Sequence, residues 1–211
     1  MLAQRLPGIL PRMTEAQALQ TAAIDSVIGQ PMGLANWRRP PFRAPHHTAS
    51  AAALVGGGML PRPGEVSRAH NGVLFLDELP EFNRNVLEAL REPMEKGTIT
   101  IARAARQVDF PACFQLVAAI NPCPCGYLGD PQADCCCSSE RVANYRAKIS
   151  GPLLDRIDLR VEVGRLQVDA LRDNGASGDS SSVVRKRVVA ARNRALARSG
   201  ICNAQLEGEQ L

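Results

Sequence analysis

The run GVLFLDELPEF, residues 72–82, constrains the fold more than any other stretch of the chain. Val73 to Leu76 are consecutive apolar residues without the alternation of a half-solvated strand, so both faces need cover. That is the condition of a parallel strand lying between helices. The strand runs directly into two adjacent carboxylates, Asp77 and Glu78. Ligands of open α/β sheets sit at the carboxyl ends of strands. There the first acid can hold Mg²⁺ through water while the second polarises an attacking water for phosphoryl transfer. Taken alone, the same pair also reads as two solvated acids in a turn. Such a site normally needs a glycine loop ending in Gly-Lys-Ser/Thr, and the sequence contains no Gly-Lys pair. The Gly56-Gly57-Gly58 run is no substitute, because no lysine follows it.

A second apolar run, CFQLVAAIN at residues 113–121, predicts another buried strand ending at Asn121. An amide there can orient the same water; an Asn before proline is equally a turn former. Around these strands, residues 1–10 have helical spacing with no N-cap. Thr14 with Gln17 forms a capping box opening a second helix. Residues 31–50 hold four of the fifteen prolines and predict a long irregular loop. Asn83 predicts a helix with Val86, Leu87, Leu90 and Met94 on one face, stopped at Gly97. Residues 98–110 alternate as a β-hairpin, and Leu159 to Val163 reads as a third strand. Residues 173–182 form a polar linker rich in Gly and Ser. Residues 183–198 follow as a helix with Val184, Val188, Ala191 and Ala195 inward and only basic charges. Strand, helix, hairpin, strand is an α/β order.

A formal charge of +4 is mildly basic and says little about partners by itself. No segment approaches the roughly 18 apolar residues of a membrane helix, and Arg5 interrupts what would be a signal peptide, so the chain reads as cytoplasmic. Six of the seven cysteines fall within residues 113–137, which is metal-site clustering rather than a disulfide framework. Cys123 and Cys125, then Cys135 and Cys137, give two C-x-C pairs able to close a tetrahedral Zn²⁺ site, with Cys136 spare. The spacing differs from the C-x₂-C knuckle, and reduced cysteines on a polar loop are the alternative. Adjacent His46 and His47 would point opposite ways in extended chain, which favours loop packing over a joint metal role.

RPPFRAPHHTAS, ALVGGGMLPRPGEVSRAHNGVLFLDELPEFNRNVLEALREPMEKG, INPCPCG and GPLLDRIDLRVEV together resemble the magnesium-chelatase-like AAA+ ATPases, and within them the ComM competence subgroup. The resemblance spans nearly the whole chain. It implies a P-loop-type parallel sheet flanked by helices, followed by part of a C-terminal helical domain. The division expected is an ATPase core at 1–165 with a Cys-rich insertion at 123–137, a linker at 166–182, and a helical domain beginning at 183–211. FLDE then matches the Walker B motif, with Asp77 for Mg²⁺ and Glu78 for water, and Asn121 matches sensor 1.

Arg156 in LLDRIDL matches an arginine finger that reaches a neighbouring subunit's γ-phosphate; the residues alone suggest an ion cluster with Asp155 and Asp158. Arg103, supported by Arg106, matches a basic hairpin position facing DNA in a ring pore, where simple solvation is the alternative. The resemblance implies ATP and Mg²⁺ as cofactors, a ring, as a hexamer, and DNA as partner, with translocation or branch migration in transformation or recombination. A chelatase ATPase subunit is the second reading, and a non-catalytic zinc-binding or ring-poisoning remnant the third. The resemblance places the family's Walker A loop before Met1 and its sensor 2 arginine beyond Leu211. An internal piece, with negligible hydrolysis by this chain alone, is therefore expected.

Overall fold

The computed structural model of the protein describes residues 2–30, 33–103, 106–164 and 178–206. A 3₁₀ turn and α1 (Leu6–Ile9) lead to α2 (Glu15–Val27). Thr14 and Gln17 close their capping box in both directions, at 3.0 and 3.2 Å, satisfying two backbone donors at the helix start. Then follow β1 (Phe42–Arg43), α3 (Ala51–Val55), β2 (Gly56–Gly57), β3 (Arg62–Pro63), α4 (Glu65–Arg68) and β4 (Val73–Leu76). The second half holds α5 (Arg84–Glu88), α6 (Arg91–Lys96), β5 (Thr98–Arg103), β6 (Arg106–Pro111), β7 (Gln115–Ala118), α7 (Ser139–Arg146), α8 (Gly151–Leu154) and α9 (Ser181–Ser199).

The apolar run at 73–76 becomes the central strand of a parallel sheet in the order β1-β4-β7. Its register pairs Phe42 with Val73 on one side and Leu76 with Ala118 on the other. Leu74 and Leu76 are fully buried and pack with Leu54, Val66, Leu79, Leu87, Leu90 and Leu153. Each such leucine removed from water contributes about 1.5–3 kcal/mol, which fixes the Leu74 and Leu76 face of β4; buried Val73 and half-buried Phe75 occupy the other. Helices thus flank a parallel sheet, as the α/β reading requires. The hairpin β5–β6 is antiparallel and pairs as far as Arg103 with Arg106; its tip lies outside the described residues.

Four local readings change. The proline-rich loop at 31–50 contains β1, whose two residues join the parallel sheet because the Pro41 carbonyl accepts from Val73 N–H at 2.9 Å. The helix opened by Asn83 is broken into α5 and α6, since Pro93 has no N–H for the Ala89 carbonyl; Gly97, at φ 65°, ends it as expected. Residues 159–163 are not a strand. Leu159, Val161 and Val163 are 84%, 81% and 71% exposed, and among the described residues no strand pairs with them. Finally, α9 packs loosely on α1 at Gly8 and Ser181; Val184, Val188 and Ala195 are half-buried but Ala191 is exposed. Most of the expected linker, residues 165–177, lies outside the described residues.

Candidate functional site

β4 and β7 are parallel neighbours, so their carboxyl ends lie side by side, and the next backbone bonds extend the pairing. Ala119 N–H donates to the Leu76 carbonyl and Leu79 N–H to the Ala119 carbonyl, both at 3.0 Å. Asp77 and Glu78 therefore leave the sheet beside the segment that ends in Asn121, and all three residues are exposed. Asp77 accepts the Glu78 backbone N–H at 3.1 Å, which orients one carboxylate oxygen along the turn. Glu78 adopts a left-handed conformation, φ 54° and ψ 49°, at the start of a 3₁₀ turn. Leu79 and Pro80, both buried, hold that turn shut. The chain reverses at Glu78 and presents the carboxylate on the strand-end face rather than into the core.

His47 supplies a contact that residue spacing did not reveal. Its Nδ1 lies 3.3 Å from Glu78 Oε2. The imidazole stands edge-on to buried Phe82, centroids 6.4 Å apart, and lies tilted against His46 with centroids 4.1 Å apart. The two histidine side chains do not diverge because this chain is turned, not extended: Ala49 N–H donates to the His46 carbonyl at 2.9 Å. His46 Nδ1 is satisfied by Thr48 Oγ1 at 2.9 Å. His46 is thus bonded within its own loop, while His47 reaches the acid.

Tyr145 closes the other side. Burial pushes its hydroxyl pKa up, as do the Glu81 and Glu78 carboxylates, while the Asn121 backbone amide pulls it down. Arg146 Nη2 donates to the Pro122 carbonyl at 3.2 Å. Helix α7 is thereby tied to the end of β7. Arg156 stands apart from these residues. It pairs with Glu95 and donates to the Pro152 carbonyl, so the cluster with Asp155 and Asp158 is not what holds it. The side chains of Arg103 and Arg106 lie outside the described residues.

The four cysteines converge. Cys123, Cys125, Cys135 and Cys137 have their sulfurs within 4.8 Å of one another. Cys123 to Cys125 is 3.3 Å, and Cys135 is 3.6 Å from each of them. A disulfide needs about 2.05 Å. A tetrahedron with Zn–S bonds of about 2.3 Å needs about 3.8 Å between sulfurs, so the spacing fits a shared metal and not a crosslink. All seven cysteines are free thiols. A backbone hydrogen bond from Tyr127 brings Cys125 down to about 5, while burial pushes Cys137 up to about 12. Four thiolates this close would repel one another, and a divalent cation at their centre would remove the conflict. Cys136 is exposed and outside the group.

Among the described residues, no helix is long and apolar enough to cross a membrane. Residues 1–171 match the family described as magnesium chelatase, subunit ChlI. The competence protein ComM of Haemophilus influenzae is 49% identical over all of this chain, which spans 41% of that protein's length. An uncharacterized protein of Mycobacterium tuberculosis is 53% identical over 94% of the chain and 39% of its own length. Among solved structures, NtrX from Brucella abortus in complex with ATP aligns with a TM-score of 0.39 and 15% identity, over 56% of this chain and 25% of that one. Paired acids at the end of a buried parallel strand and a family match over most of the sequence lead to one conclusion: the chain belongs to the magnesium chelatase subunit ChlI family of AAA+ ATPases, in its ComM-like branch.

Proposed function

We propose that these 211 residues carry the hydrolytic half of an ATP site in a ring-forming motor that moves on DNA. The observation that carries the reading is the position of Asp77 and Glu78 at the carboxyl end of β4, beside the strand that leads to Asn121. Asp77 fits a water-mediated contact to Mg²⁺, which supplies charge neutralisation at the phosphates when bound. Glu78 accepts the proton of the attacking water, Asn121 orients that water, and His47 orients Glu78. Arg156 acts in trans as a fixed cation on a neighbour's γ-phosphate, which requires it to leave Glu95 when subunits assemble as a hexamer. Arg103, Arg106 and the basic helix α9 are the DNA contacts.

The cysteine group takes Zn²⁺, and its reduced thiols suit a cytoplasmic protein. The competence-type match and the Cys₄ group favour the DNA motor over a chelatase subunit. No Gly-Lys pair is present to grip the β- and γ-phosphates, so the chain by itself turns ATP over negligibly. In the full-length Haemophilus influenzae relative, DNA-stimulated ATPase is the deciding measurement. Changing the glutamate aligned with Glu78 to Gln lowers kcat about 100-fold or more with little change in KM. ATPase indifferent to DNA, or a Gln variant of full activity, sinks the reading.

A further inference from the structure

We propose that the four-cysteine knot is a metal-dependent clasp that fixes Asn121 beside Asp77 and Glu78. The proposal rests on the zinc assignment above. Its starting point is chain order. Cys123 lies just beyond Asn121 and Pro122, and Cys137 just ahead of Ser138, the N-cap of α7. The knot therefore closes the chain between the end of β7 and the start of α7, and both sides return to one place. Arg146 donates to the Pro122 carbonyl at 3.2 Å, and its neighbour Tyr145 is buried, which seats α7 against this segment. Lys148 pairs with Glu81 at 3.4 Å, in the turn that follows Glu78.

Residues 122–137 contain no helix or strand, and Cys123 is their one buried residue. Ordering such a loop costs about 1–2 kcal/mol per residue in backbone entropy, with almost no apolar burial to offset it. A structural metal supplies that free energy directly. The Asn121 side chain makes no hydrogen bond among the described residues, so its place depends on its backbone anchors: the Ala119 bonds on the β7 side, and on the other side the Arg146 contact at Pro122 and the knot that begins at Cys123. Removing the metal frees residues 122–137, loosens α7, and leaves Asn121 tethered from the β7 side alone.

Hydrogen exchange on the 211-residue chain tests this, beside metal content by mass spectrometry and thiolate-to-cobalt absorption after Co²⁺ substitution. One zinc per chain is expected. Chelation should speed exchange across residues 119–126 and 141–149 roughly tenfold or more, reversed by added Zn²⁺, while β4 and α5 keep their protection. Cys136→Ser retains metal and protection; Cys123→Ser loses both. A chain that binds no metal overturns the zinc assignment and the clasp together. Bound metal with unchanged exchange at 119–122 overturns the clasp alone. A rise spread over β4 and α5 also overturns it, because the metal would then serve the whole fold.

Discussion

Glu78, whose carboxylate is proposed to act on the attacking water, has a backbone conformation that side chains seldom adopt, φ 54° and ψ 49°. A left-handed residue other than glycine costs about 1–2 kcal/mol. Buried Leu79 and Pro80 and the Asp77 contact at 3.1 Å hold it there. Replacing Glu78 with Gly relieves the crowding and raises unfolded-state entropy by a similar amount, so stability in urea should stay within about 1 kcal/mol. Glu78→Val puts a β-branched side chain in the same place and should cost about 2 kcal/mol more than Gly. Equal midpoints for Gly and Val would mean that the turn relaxes and does not aim the acid. The acids themselves were legible in the sequence because an unbroken apolar run ending in charge has few other uses. His47 was not: its partner lies 31 residues away, and only the folding of a proline-rich loop onto β4 brings the imidazole to Oε2. The cysteine group was legible from clustering alone.

At the level of elements, Gly72 decides whether β1 can join β4. A Cβ at Gly72 would lie 2.0 Å from the Pro41 carbonyl oxygen and 2.7 Å from the Pro41 ring. That same oxygen accepts the Val73 N–H at 2.9 Å. Gly72→Ala therefore drives the strands apart and should cost about 3 kcal/mol or more by chemical denaturation. Gly129→Ala is the control. Gly129 has φ 82° but nothing within 4 Å of the added carbon, so its cost is conformational, about 1 kcal/mol. If Gly72→Ala is as mild as Gly129→Ala, the close approach is not what sets the sheet.

β1 escaped sequence reading because two residues between prolines show no period, and their pairing with β4 is non-local; Phe42 stacking on Phe75 at 6.0 Å adds side-chain support that spacing cannot show. The reverse failure is residues 159–163, where alternation is present but, among the described residues, no strand pairs with them. Alternation specifies a face, and a strand also needs a neighbour. The capping residues Thr14 and Asn83 were readable because their hydrogen bonds are local.

For the whole molecule, charge is distributed unevenly, and this bears on DNA. Helix α9 carries Arg185, Lys186, Arg187, Arg192, Arg194 and Arg198 with no acid, whereas in the rest of the chain acidic residues outnumber basic ones. Among the described residues two of the six are engaged, Arg187 by Asp179 and Arg198 by Asn203. The proposed DNA reading assigns the other four to phosphates. A patch that neutralises about four phosphates releases about that many counterions. Binding to a single-stranded oligonucleotide should then fall with salt at a log–log slope of about −3. Fluorescence anisotropy between 50 and 200 mM salt, roughly the range over which such binding is lost, measures the slope directly. Arg194→Ala should flatten it by about 1 and weaken all sequences alike, since a phosphate contact carries no base information. Arg192→Ala should act in the same way only if its half-buried position still reaches the backbone. A slope near zero, or one unchanged in both variants, would reduce α9 to a solvated basic face and leave the DNA reading resting on the β5–β6 hairpin.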